Sequence, residues 1–287
     1  MKLPGYLPLV IGALFVVFFI LEKLRPLREN RTSLLVRLTV NLSFSALAFL
    51  TAANVVRPSG LLALQWASQS SSGIVNLLPI PSFSRFILSF LLLDLTFYYW
   101  HLVNHKAPLL WRFHNVHHLD PDLDVSTGFR FHFGEVLLST VFRVAQVVVI
   151  GVPFAAFAAY ELIFQANTLF HHSNLRLPLR FERLLNKLLV TPRMHGIHHS
   201  QMRPETNSNF GVVFPWWDKL HRTILLNVPQ SSIEIGIPAY STPDDNRFWQ
   251  VLTLPFRKQR DYWRKPDGSI PERDTSALKP DPQCLAE

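Results

Sequence analysis

The chain has 287 residues, with 28 Lys and Arg against 20 Asp and Glu, 48% hydrophobic residues and a mean hydropathy of +0.17. Its net charge of +8 lies between and after apolar stretches and follows no nucleic-acid-binding motif, which excludes a nucleic-acid partner and points to anionic lipid head groups. The single cysteine, Cys284, excludes a disulfide framework and any cysteine-based metal site.

About 20 largely apolar residues cross a bilayer, and residues 5–24 are the first stretch to qualify. Lys2 ahead of an apolar run looks like a signal peptide. The run ends in Glu22-Lys23-Leu24-Arg25-Pro26 rather than in a small-residue cleavage site, so a retained membrane helix is expected. Residues 35–56 and 83–103 are the next two spans. The stretch 136–170 is broken by Gly151-Val152-Pro153 into arms of about 15 and 18 residues, a short helical hairpin that spans or re-enters. Arg143 and Glu161 within the arms argue against a simple crossing of bare lipid. From residue 224 the composition turns polar and proline-rich, with an amphipathic segment near 246–256 and disorder expected over the last twenty residues. The expected fold is an all-α membrane protein of four to five membrane helices with a helical, histidine-rich cap. It divides into a two-helix region at 1–82, a histidine-bearing region at 83–223 and a polar C-terminal tail at 224–287.

Charge orients these spans. The first connection carries Lys23, Arg25, Arg28, Arg31 and Arg37, whereas 57–82 has only Arg57 at its start. The positive-inside rule makes the first connection cytoplasmic. The third span then returns to the cytoplasmic face, and the hairpin does the same ahead of Arg176, Arg180, Arg183, Lys187 and Arg193. The membrane would be the inner membrane in a bacterium or the endoplasmic reticulum in a eukaryote.

Eight of the twelve histidines fall in three clusters on that face: His101 and His105; His114, His117 and His118; His195, His198 and His199. Residues three or four apart share a helix face, so each cluster can present its imidazoles together. A lone histidine is ordinarily an interface residue, but three such clusters on one membrane face are too many for composition alone. They are also too many for one ion, so two metals are implied. His172 is a candidate ninth ligand and His132 a weaker one, while His171 and His221 read as structural or surface residues. Asp94, Tyr98, His101 and His105 form one stripe, with Asp94 buried deeper as an acceptor for a ligand histidine or a neutralising charge. There is no H-E-x-x-H, which leaves a zinc protease unsupported. An all-histidine two-metal site beside lipid suits iron and dioxygen, because inert C–H bonds need a strong oxidant.

These residues resemble the fatty acid hydroxylase and sterol desaturase superfamily of membrane di-iron enzymes. The likeness runs from about Leu91 to Thr223. It rests on Asp94-Leu-Thr-Phe-Tyr-Tyr-Trp-His101, the three histidine clusters, Thr191-Pro-Arg-Met-His-Gly-Ile-His-His-Ser200, Asn209-Phe-Gly211 and Trp217-Asp218. The chain departs from the family at Leu102, where Arg is common, and at His132-Phe-Gly-Glu135, which replaces His-Pro-x-Glu. A third departure is His221-Arg222-Thr223, which stands for Phe-Gly-Thr. The resemblance makes 83–223 the catalytic domain and implies two Fe ions, O2 as co-substrate and a lipid held in an apolar tunnel. The lipid would be a sterol, hopanoid, fatty acyl chain or related molecule, either hydroxylated or desaturated. Asp94, Tyr98 and Asn209 would stand behind the ligands. With no G-x-G-x-x-G fingerprint and no haem or iron–sulfur motif, electrons must come from a separate reductase, ferredoxin or cytochrome. The competing readings are a metal-transporting or metal-storing membrane protein and an inactive scaffold of the same fold. Transport needs polar residues along a path through the bilayer, whereas these ligands gather at one surface.

Overall fold

The computed structural model describes residue 5 and residues 7–273. Among them there is no strand, only isolated bridges pairing Pro26 with Leu175 and Ser200 with Ile235. Among the described residues, four helices are long and apolar enough to cross a membrane: Leu7–Leu24 (α1), the continuous Leu34–Ser70, Ser82–Lys106 (α4) and Phe133–Ile150 (α6). The fold is therefore the expected all-α membrane architecture.

The second span differs from its expected bounds. The span is expected to end at 56, yet the chain stays helical from α2 (Leu34–Thr51) through a π turn at Ala52–Val56 into α3 (Arg57–Ser70). The π turn is the physical reason. Proline has no N–H and crowds the carbonyl four residues back, and the wider register, with Arg57 N–H on Ala52 O, admits Pro58 without stopping the helix.

The hairpin forms as the sequence predicts. Gly151, at φ +75, ends α6, and Pro153 precedes α7 (Phe154–His172). Its tip packs on the turn after α3. Ile74 and Val75 donate to Val149 O and Ile150 O, both at 2.9 Å, and a Cβ on Gly73 would lie 2.3 Å from Gly151 Cα. Arg143 and Glu161 pair with each other across the two arms, and the Arg143 guanidinium lies 4.7 Å from the Phe97 ring centre. The apolar core, including Leu64, Leu93, Phe97, Val147 and Tyr160, fills the space between α3, α4, α6 and α7.

At the other end of the bundle sits the cap. It contains α5 (Pro108–His118), α8 (Leu179–Leu185), α9 (Pro192–His198), α10 (Arg203–Thr206), α11 (Trp216–His221) and α12 (Phe248–Thr253). A buried ion network ties it to the membrane helices. Arg37 on α2 donates to Asp120 Oδ1 at 2.7 Å and to Asp124 Oδ2 at 2.7 Å, and Arg130 Nη1 donates to Asn41 at 3.0 Å. Arg37, a loop charge by sequence, is thus a structural cation. Burial alone would raise the Asp120 carboxyl, but the adjacent Arg37 charge overrides it and holds Asp120 at about 2.

The segment from 224 is no loose tail. Ile233, Ile235, Ile237, Tyr240, Val251 and Leu254 are buried, and Gly236 N–H donates to His199 O at 3.1 Å. The amphipathic segment near 246–256 is α12 and the 3-10 turn after it. Arg273 bonds Glu205 and Ser232. Most of the stretch expected to be disordered lies outside the described residues.

Candidate metal centre

Short helices with enforced starts place the imidazoles. His101 and His105 stand one turn apart at the end of α4. Pro108 at the first position of α5 turns the chain immediately, so that His114, His117 and His118 face back toward them. α7 ends on His171 and His172, and α9, opened by Pro192, carries His195 and His198.

Nine histidines converge in two groups. His101, His105, His114, His118 and His198 form one; His117, His172, His195 and His199 form the other, with the donor atoms of each group within 4.8 Å of one another. The histidine doublets are shared out. Consecutive helical residues point about 100° apart, so His118 serves the first group and His117 the second. His198 and His199 divide in the same way. The groups adjoin, with the His118 and His199 rings stacked at 4.3 Å.

In four of these rings one nitrogen is anchored, which orients the other. His101 Nδ1 sits 2.8 Å from Phe210 O, His198 Nδ1 2.7 Å from Ser208 O and His172 Nδ1 2.8 Å from Thr168 O. His114 Nδ1 lies 2.8 Å from Glu135 Oε1. The opposite nitrogens, Nε2 of His114 and His198, are buried without a hydrogen-bond partner, as are Nε2 of His105 and His118. In the second group the Nε2 atoms meet one another: His172 with His117 at 2.9 Å, His195 with His172 at 3.0 Å, and His199 with His195 at 3.1 Å. Ligands about 2.0–2.1 Å from a shared ion stand roughly 3 Å apart when adjacent. Orphaned nitrogens in one group and close contacts between nitrogens in the other are what a donor set built for metal presents.

Electrostatics agree. Burial pushes the rings of His117, His118, His195 and His199 well below the ordinary 6.5, with neighbouring histidines adding to the effect. It takes His198 down to about 3. Neutral imidazole is the form that ligates, so the site is poised for cations at neutral pH.

The residues expected beside the ligands sit differently. Asp94 meets no histidine. It accepts from Trp217 Nε1 at 2.8 Å, Phe214 N at 3.1 Å, Tyr160 Oη at 3.1 Å and Val213 N at 3.3 Å. Tyr98 Oη pairs with Thr223 Oγ1 at 2.9 Å. Both lie too deep along α4 to reach the ligands; they hold the strap of residues 208–223 instead. Asn209 does lie beside the ligands. At φ +55, a left-handed conformation that asparagine tolerates, it donates to Met194 O and Leu225 O. That fixes the flanking carbonyls of Ser208 and Phe210, the anchors of His198 and His101. His132 joins neither group, since both its nitrogens are engaged elsewhere. Nδ1 accepts from Gly134 N at 2.9 Å, capping α6, and Nε2 lies 3.0 Å from Leu252 O. His171 is buried with its ring 4.1 Å from that of His195, and His221 bonds Tyr99 Oη at 2.8 Å.

Three kinds of support escape a reading of the residues alone. Glu135 is visible as part of an altered box but has no partner assigned by sequence. The carbonyls of Thr168, Ser208 and Phe210 leave no trace in residue type. Asp218, which accepts from Phe210 N at 2.8 Å and Gly211 N at 2.7 Å, has only the Trp-Asp pair as a signal.

The family described as fatty acid hydroxylase matches residues 86–223. The ornithine lipid hydroxylase OlsE of Rhizobium tropici is 29% identical over 157 residues, 55% of this chain and 46% of that protein. The cholesterol 25-hydroxylase of Mus musculus is 31% identical over 143 residues, 49% of this chain and 47% of that protein. The alkylglycerol monooxygenase of Homo sapiens is 27% identical over 138 residues, covering 47% and 29%. The matched segment thus spans less than half of each of these relatives. No solved structure matches the chain. Anchored imidazoles at the end of apolar helices, and this shared segment, lead to one conclusion: residues 86–223 belong to the fatty acid hydroxylase superfamily.

Proposed function

We propose that this chain is a membrane-embedded, non-haem di-iron oxidoreductase that uses O2 to hydroxylate or desaturate a lipid. The observation that carries this reading is the division of nine histidines, eight of them buried and His105 half-buried, into two donor groups. The first group would hold one iron and the second the other, and when bound the pair would supply the oxidant for an unactivated C–H bond. The relatives' names, hydroxylases and monooxygenases, favour hydroxylation and a substrate among sterols, ornithine lipids or ether lipids.

The chain's own part is positioning and shielding. Glu135 and the carbonyls of Ser208, Phe210 and Thr168 fix ring orientation, so the ligands need little reorganisation on binding. Asp94 and Asp218 clamp the strap that bears two of those carbonyls. Burial of the rings keeps bulk water from the centre.

The histidine end faces the cytoplasm in this reading, supported by exposed Arg25, Arg31 and Arg176 on that side. A separate reductase, ferredoxin or cytochrome delivers electrons there. Lipid mass spectrometry of a deletion strain tests the proposal. One lipid class should lose an added oxygen, or a double bond if the reaction is desaturation, and the wild-type gene should restore it while His198→Ala should not. An unchanged lipid profile overturns it.

A further inference from the structure

Helix α8 and the residues after it are built inside out. The buried stripe runs Glu182, Asn186, Val190, four residues apart, and two of the three are polar. Glu182 accepts from Arg193 N at 3.0 Å and Nε at 2.8 Å, and Asn186 donates to Leu189 O at 3.3 Å. The outward face presents Phe181, Leu184 and Leu188, which are 53%, 62% and 50% exposed, interleaved with Arg180, Arg183 and Lys187. A helix on a water-facing cap buries its apolar stripe and exposes its polar one. The reversal here requires an apolar phase outside, and the interleaved cations specify the charge of that phase's surface.

The depth of α8 fits. Leu24, the last residue of α1, and Pro178, just before α8, line a single groove of about 420 Å³ with Arg25, Pro26, Arg176 and Leu177. α8 therefore starts at the level where α1 ends. Arg176 N–H donates to Arg25 O at 2.8 Å, which brings the two arginines to one groove. Both are exposed, and neither forms an ion pair among the described residues. Two arginines without ion pairs, lining one groove with leucine and proline residues, match a phosphate on an acyl chain.

We propose that this groove binds an anionic phospholipid of the bilayer by its phosphate, with α8 lying in the head-group layer as its rim. The cap is then seated on the membrane rather than standing off it. The inference rests on the membrane-spanning architecture and is independent of the chemistry at the histidines.

Two measurements on the full chain test it. In a Cys284→Ser background, a nitroxide is placed at Leu184→Cys or at Asp244→Cys, an exposed site elsewhere in the cap, in phosphatidylcholine–phosphatidylglycerol nanodiscs. The label at 184 should collide with dissolved oxygen in preference to an aqueous nickel chelate, and the label at 244 should do the reverse. Equal nickel access at both sites, or shelter of 184 from both reagents by a protein partner, overturns the proposal. Native mass spectrometry should also show preferential retention of phosphatidylglycerol over phosphatidylcholine. That preference should fall about fivefold for each of Arg25→Gln and Arg176→Gln. An unchanged preference in the double variant, or its abolition by millimolar inorganic phosphate, counts against a lipid site.

Discussion

Glu135 fixes the tautomer of His114 from behind, leaving Nε2 for a ligand bond, and it is one of the few supports of the centre that acts through a side chain. Glu135→Gln should weaken metal binding at the first group by about 10–100-fold without unfolding the chain, measured by competition with a chelator. Unaltered affinity would make the contact incidental. Asp120 acts at the same scale but on stability. Its carboxyl stays ionised to about 2 in the folded protein, against an ordinary 3.8 once unfolded. The unfolded chain therefore binds the extra proton in that window. The contribution is complete at neutral pH and is lost as pH falls from about 4 toward 2. Asp120→Asn leaves the buried Arg37 short of a counter-charge and should cost roughly 3–5 kcal/mol. It should also flatten the acid limb of a thermal-stability profile taken in detergent.

Elements differ in how plainly the residues announce them. Gly151-Val152-Pro153 marks the hairpin turn because glycine takes the left-handed backbone there and proline cannot continue α6. Gly73, at φ +101, meets that turn backbone to backbone. Gly73→Ala should cost at least ~1–3 kcal/mol through strain and clash, read as a lower melting temperature with the histidine groups left in place. The continuity of α2 and α3 is hidden because Pro58 reads as a breaker wherever a π turn is not foreseen. The packing of 224–273 is masked by its prolines, although Ile233, Ile235 and Ile237 at every second position are a recognisable buried pattern. The three histidine clusters are legible from spacing alone, since i, i+3 and i+4 positions share a face, but their redistribution into two donor groups is not. Their anchors are not, because backbone carbonyls have no residue signature. Asp94 escapes for a related reason: position on a helix stripe gives direction but not which loop returns to meet it.

At the scale of the whole molecule, helices that end together bring distant sequence to one place. α4 and α7 deliver His101, His105 and His172 to the same end of the bundle, where α5, α9 and His199 at the end of α9 supply the other six ligand candidates. The Arg37–Asp120–Asp124 network locks that cap to α2, so cap geometry and membrane architecture stand or fall together. In the proposed function the nine histidines, in two separable groups, would hold two irons. Iron content by mass spectrometry of the purified full chain, beside His105→Ala for the first group and His195→Ala for the second, tests it most directly. About two irons per wild-type chain and a loss of iron in each variant are the expected result. A wild-type chain that retains no iron after expression in iron-rich medium, or variants that both keep the full wild-type content, would contradict it.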